Sequence, residues 1–302
     1  MTHELHQRPF DLPGLDDMPE KACEPTTTSQ RSHRHKPTID DGMNPELVAG
    51  ADFDGFLGMP IIKRPDEFIV PSDIVPFSKR NRNTNPDLAV GFYEMDTMFT
   101  DVLTDPQRFI DEFRKRPLIS PDCSLYRDAP LAVQIANTYR NRAIGYYYQS
   151  HGVYVIPHIR WGNSLTYTTE VLPERLAFLG VEKHSIVAIS TYGCIRTADD
   201  KREFRTGLDA MMETLEPEIV LVYGPLPNQV FGPYTHAAMF RQYDDWTSAI
   251  HSSGQLTVSS TAPVTRLESY RVRGASHANR TLCVTRVREP DRSSDSGHAD
   301  RH

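Results

Sequence analysis

The sequence predicts an α/β fold: a mostly parallel sheet of five or six βα units, open or drawn into a partial or distorted (β/α) barrel, with disordered ends. Two observations carry this. Short runs of Val, Ile, Leu and Ala recur along the chain, at Leu88-Ala89-Val90, Leu118-Ile119, Val153-Tyr154-Val155-Ile156, Ile186-Val187-Ala188-Ile189 and Ile219-Val220-Leu221-Val222. Such runs lack polar alternation, which marks strands buried on both faces. Between them lie stretches with apolar residues three and four apart, the helical crossovers that parallel strands need.

Taken in order, residues 1–45 show neither hydrophobic period, most clearly in EPTTTSQRSHRHKPTIDDG, and read as a disordered leader that cannot bury enough apolar surface to offset its ordering entropy. His33 and His35 fall in it and are read as solvated rather than as metal ligands. Residues 46–254 form the single α/β domain. It opens with two short apolar runs, Met59 to Ile62 and Phe68 to Val70, followed by Pro-containing turns. The strand from Leu88 to Tyr93 leads to a helix near 106–115 with Phe109, Ile110 and Phe113 on one face, closed by Pro117.

After Leu118-Ile119 a long helix runs from beyond Pro130 towards Ser150, with Ile135, Ala136, Tyr139, Ala143 and Tyr147 on one face. Asn137 and Asn141 lie on another with Gln134, read first as a solvated face and second as a ligand-reading one. A helix around 174–179 stops at Gly180. The helix from Lys201 to Glu216 buries Phe204, Leu208, Met211 and Leu215 before Pro217, and a last helix over 237–250 carries Met239, Tyr243, Trp246 and Ile250 as a core stripe. Residues 255–302 are a flexible tail with eight Arg against five acidic residues, net +3. Leu282 to Val284 or Tyr270 to Val272 could add an edge strand there.

The strand exits are where chemistry is expected, because ligands of parallel sheets gather at the carboxyl ends of the strands. Those exits carry Glu94 and Asp96; Ser120, Asp122 and Ser124; His158, Arg160 and Trp161; Thr191, Tyr192 and Cys194; and Tyr223. Glu94, Asp96, Asp122 and His158 are the candidate acid/base residues, or oxygen-rich ligands for Mg or Mn. Arg160 suits an anion, and Trp161 or Tyr192 suits stacking on a base or sugar. Asn137, Arg140 and Asn141 complete the candidate ligand set. The reading is an enzyme acting on a nucleotide or related small polar molecule. The alternative is a non-catalytic nucleic-acid-binding module using Arg140, Arg142, Arg160 and the Arg-rich tail.

Composition bounds this further. A net charge of −7 over 302 residues argues against a nucleic-acid surface spanning the domain, leaving nucleic acid as a partner for the tail. The four Cys are too scattered for a zinc or redox pair and too few for a disulfide framework, which fits the cytoplasm. No stretch approaches a membrane span, and neither a G-x-G-x-x-G nor a G-x-x-x-x-G-K-[ST] loop is present. Cys194, in TYGCI, follows a strand and reads as a small buried thiol rather than a nucleophile.

The segments GFYEMD, SPDCSLYRDAPLAVQIANTYRNRAIGYYYQSHG, VIPHIRWG, ISTYGCI and IVLVYG, over about 67–224, resemble a domain-of-unknown-function family numbered 4417. The resemblance implies a bacterial, phage or mobile-element source. It also implies the possibility of DNA-related work, with no established activity to carry over and the cofactor unknown.

Overall fold

The structure, a computed structural model, describes residues 44–245 and 271–273. The expectations placed on residues 1–43 of the leader, on the tail apart from 271–273 and on Trp246 and Ile250 lie outside these residues.

Seven strands follow one another in parallel: β1 (Asp73–Pro76), β2 (Leu88–Gly91), β3 (Leu118–Ile119), β4 (Val155–Ile156), β5 (Ile186–Ser190), β6 (Ile219–Tyr223) and β7 (Met239–Tyr243). β1 to β4 form one parallel ladder and β5 to β7 another, each in sequence order. A single parallel bridge, His158 to Ala188, links the two, with Ile159 N–H donating to the Ala188 carbonyl at 2.8 Å and Ala188 N–H to that of Pro157 at 2.9 Å. No ladder joins β7 to β1 among the described residues, so the pairing leaves the sheet unclosed and does not establish the barrel. Tyr243 of β7 does reach the segment before β1, its hydroxyl donating to the Pro71 carbonyl at 2.8 Å.

The two faces of the strands separate cleanly because side chains alternate. Ile74, Ala89, Ile119, Ile156, Ala188, Leu221 and Tyr243 share one buried cluster that draws on all seven strands. On the opposite face, Val75, Val90, Leu118 and Val155 pack on a ring-rich cluster that includes Phe77, Phe92, Phe99, Phe109 and Phe113. Val187, Ile189, Val220 and Val222 pack on α2 (Ala198–Leu215) through Phe204, Leu208, Met211 and Leu215, the stripe expected from the sequence. A capping box starts α2, with Thr197 and Asp200 each bonding the other's backbone N–H, and Glu216 ends it in a left-handed conformation before Pro217.

Three expectations are corrected. The stripe Met239/Tyr243 belongs to β7 rather than to a helix. Extended on the edge of β6, Phe240 and Tyr243 point to opposite faces, each into a different core cluster. β1, hidden in the sequence between Pro71 and Pro76, was expected to be turn; Pro76 fits because it ends the strand. The helices near 106–115 and 174–179 are single turns, at Pro106–Phe109, Ile110–Phe113 and Leu176–Phe178. The edge strand considered around 270–272 is present as Arg271–Arg273, antiparallel to Glu67–Ile69.

The long crossover α1 (Leu131–Ser150) packs its expected apolar face in part, through Ala143 and through Ile135, Tyr139 and Tyr147 at the cluster edges, and buries the polar face as well. Gln134, Thr138, Asn141 and Arg142 are buried against the sheet, while Ala136 is exposed and Ile135 and Tyr139 only half-buried. The polar face is not solvated. It is the face that holds the strand exits in place.

Candidate functional site

Asp122, three residues beyond the end of β3, is 6% exposed. Arg160, beyond β4, donates from one guanidinium nitrogen to both its oxygens, at 2.8 and 2.7 Å. Burial alone would push the Asp122 carboxyl up, but the charges and hydrogen bonds of Arg160, with a contribution from His158, hold it below the usual carboxylate range. Asp122 in turn raises the pKa of Arg160, so the pair is ionised at neutral pH. His158 lies beside them, Nδ1 3.5 Å from Asp122 Oδ1, an electrostatic contact without a hydrogen bond. Its ring is 1% exposed. Burial drives its pKa down to about 4, against the pull of Asp122 and with the help of Arg160 and Arg142, so the imidazole is neutral. Neither ring nitrogen has a hydrogen-bond partner among the described residues.

The buried face of α1 fixes this group from behind. Ser120 Oγ donates to Asn141 Oδ1 at 3.1 Å and accepts from His158 N–H at 2.8 Å, and Asn141 Nδ2 donates to the Pro121 carbonyl at 2.6 Å. Arg142, fully buried, donates to the carbonyls of His158, Ala177 and Leu179 at 3.0, 2.9 and 2.8 Å and to Asn141 Oδ1. Ser120, Asn141 and Arg142 therefore position Asp122 and His158. Arg142 is withdrawn from the surface, where the nucleic-acid alternative had placed it.

A cavity of about 540 Å³ opens in front of His158 and Arg160, between the exits of β4 and β5 and the start of α2. Tyr192, 51% exposed, and Cys194 line it; burial raises the Cys194 thiol pKa above its ordinary value. Trp161 also lines it, but its indole packs on Phe204, ring centres 4.8 Å apart, and lies so close to Gly207 that a Cβ there would meet Nε1 at 2.2 Å. Arg127 and Asp200 span one side of the cavity as an ion pair at 3.2 Å. Arg127, Asp128, Arg196, Asp200 and Glu203 were not among the residues picked from sequence. Each lies in a loop or on the first turns of a helix, where charge is ordinary and carries no signal.

The other sequence candidates lie around this centre. Both Glu94 oxygens accept from Ser78, through its N–H and its hydroxyl. Asp96 does the same for Ser124, at 3.1 and 2.7 Å, and Asn137 donates to the Ser124 carbonyl at 2.7 Å while accepting from Arg140 at 3.4 Å. Thr191 is buried and donates to the Pro225 carbonyl at 2.7 Å. Tyr223 stacks on Tyr93, centroids 4.2 Å apart. Among the described residues no three His, Cys, Asp or Glu side chains are placed to hold a metal ion.

Tyr93 is the group sequence reasoning passed over, since it reads as the end of an apolar strand. Its ring meets the edge of His158 at 5.3 Å, and its hydroxyl is shielded from solvent with no hydrogen-bond partner. Burial, then the charge of Asp122, raises its pKa well above 10, so it is a neutral donor. Tyr93→Phe removes an unsatisfied polar atom and keeps the stacked ring, so stability in urea is expected to stay within about 1 kcal/mol of the parent or to rise. A loss of more than about 2 kcal/mol would show that the hydroxyl is bonded in the folded protein.

A run of parallel strands in chain order, with Asp122 and His158 buried and Arg160 half-buried at their carboxyl ends beside a cavity, defines an α/β protein. The chain belongs to the DUF4417 family, described as a domain of unknown function, whose pattern matches residues 51–244. It is similar to the Gene 1 protein of Mycobacterium phage L5, 33% identical over 139 residues, and to the Gene 1 protein of Mycobacterium phage D29, 32% identical over 139 residues. Each match covers 46% of this chain, and 58% and 49% of those two proteins respectively. No solved structure shows significant similarity. No helix among the described residues is long and apolar enough to cross a membrane.

Proposed function

We propose that this domain binds a nucleotide or a related small polar molecule in the cavity at the exits of β4 and β5, and acts on it with His158 as the proton carrier. The observation that carries this reading is the imidazole itself. A neutral ring 1% exposed, lacking partners at both nitrogens among the described residues, is costly as structure alone, and it belongs to a residue at the wall of the cavity. Asp122 would orient the ring and stabilise a proton taken up on it. Arg160 spends only one nitrogen on Asp122, and its remaining donors, without a hydrogen-bond partner among the described residues, suit an anionic group.

The test is a thermal-shift and calorimetric screen of the full chain against nucleosides and nucleoside monophosphates. Saturable binding is expected, weakened about tenfold or more in Arg160→Gln, as the loss of a charge-assisted contact implies. A panel in which no member shifts the melting temperature at millimolar concentration would remove the reading.

A further inference from the structure

The cavity mouth is charge-balanced, and that narrows what it can hold. Three arginines line it, Arg127, Arg160 and Arg196, and three carboxylates, Asp128, Asp200 and Glu203. Two of the arginines are already answered, Arg127 by Asp200 and Arg160 by Asp122 behind it. Sites for polyphosphates concentrate uncompensated cations, backbone N–H groups or a metal on the ligand. Here the first turn of α2, the helix end at the cavity, carries Asp199 and Asp200, and the Asp200 side chain takes the Thr197 N–H at 3.0 Å. Those carboxylates offset the positive helix end and their neighbours Arg127, Arg196 and Arg202, so that end offers no uncompensated positive charge to an anion. Asp128 and Glu203, both exposed on the cavity wall and in no ion pair among the described residues, are acceptors for N–H donors. The unbonded donors of Arg160 supply one anion-binding point, beside the buried His158 ring.

Resting on the reading of the cavity given above, we infer that its ligand carries a single anionic group together with N–H donors on a planar ring, the chemistry of an amino-substituted nucleoside monophosphate, and that polyphosphates are discriminated against. The anionic group meets Arg160. The ring lies towards the aromatic wall of Tyr126 and Tyr192, and its amino group faces Asp128 or Glu203. Each added phosphate brings negative charge towards those two carboxylates, and each costs affinity in low salt.

Isothermal titration of the full chain with AMP, ADP and ATP, without added metal, tests this. Affinity is expected to fall at least fivefold from AMP to ATP at low ionic strength, and the ratio to shrink towards one in the double variant Asp128→Asn, Glu203→Gln, whose exposed positions leave folding undisturbed. ATP binding as tightly as AMP or tighter, or a ratio unmoved by the double variant, overturns the inference while leaving the cavity reading intact. No binding by any of the three, nor by the nucleosides of the wider panel, overturns both.

Discussion

Replacing Arg142 by methionine is expected to lower the unfolding free energy by at least about 3 kcal/mol, read as a shift of the urea midpoint at pH 7. Burial is expensive for this side chain: desolvation pulls its pKa down to about 10, which corresponds to roughly 3 kcal/mol at 1.36 kcal/mol per pH unit. Four charge-assisted hydrogen bonds, at roughly 1.5–3 kcal/mol each, outweigh that cost. Methionine fills similar volume but leaves three carbonyls and the Asn141 amide oxygen without this donor. Because those carbonyls belong to His158, Ala177 and Leu179, the loss falls on the segment that carries His158 and on the turn before Gly180. Arg142→Lys, with one short ammonium for four acceptors, should recover less than half of the loss. A midpoint within error of the parent for Arg142→Met would show that the arginine is dispensable and that α1 packs without it.

The same helix shows where the sequence was legible and where it was not. The runs of β2 to β6 could be read directly, because a strand buried on both faces has little choice but Val, Ile, Leu or Ala. α2 could be read because its buried face is wholly apolar. α1 defeated the same logic. Its buried face includes Gln134, Thr138, Asn141 and Arg142, of which Asn141 and Arg142 bond backbone after the strand exits while Gln134 and Thr138 bond the Ala129 and Gln134 carbonyls, so an apolar stripe alone could not reveal it. β7 failed for a related reason. Met239 and Tyr243, four apart, fit a helical stripe as well as a strand, and only pairing with β6 decides between them.

At the site, the strand-exit rule found Asp122, His158 and Arg160, which the structure brings together. It also found Glu94 and Asp96, which are the same residue types at the same kind of position. What separates them is invisible in one dimension. Ser78 and Ser124, sixteen and twenty-eight residues away, occupy the oxygens of Glu94 and Asp96, whereas the oxygens of Asp122 face Arg160 and His158. The charged residues of the cavity wall were missed because exposed Asp, Glu and Arg are common on any loop. Their placement across from His158 is a property of the fold alone.

The second large effect concerns pH and follows from the buried imidazole. His158 has a pKa of about 4 in the folded protein and an ordinary value of 6.5 when unfolded. Between those two pH values the unfolded chain binds a proton that the folded chain does not, so stability falls as pH falls, by about 1.36 kcal/mol per unit. His158 alone is therefore expected to remove roughly 3 kcal/mol between pH 6.5 and pH 4, with a slope that fades out about one unit above pH 6.5. The groups facing the ring set this balance: Asp122 favours the imidazolium, Arg160 and Arg142 oppose it, and Tyr93 is neutral beside it. Asp122 acts in a lower window. Its folded pKa is depressed below 3.8, so its contribution is present above that value and is lost only as pH falls through the folded one. Urea titrations at half-unit steps from pH 4.5 to 7.5 on the parent and on His158→Gln separate the two, because the variant keeps Asp122 and Arg160 and removes only the titrating ring. Its stability should fall less steeply than the parent's below pH 6.5, by close to one proton's worth of slope. Parallel curves would mean that the ring charges as readily inside as in the unfolded chain. A group that charges so readily would be solvated rather than buried, and the site reading built on its burial would go with it.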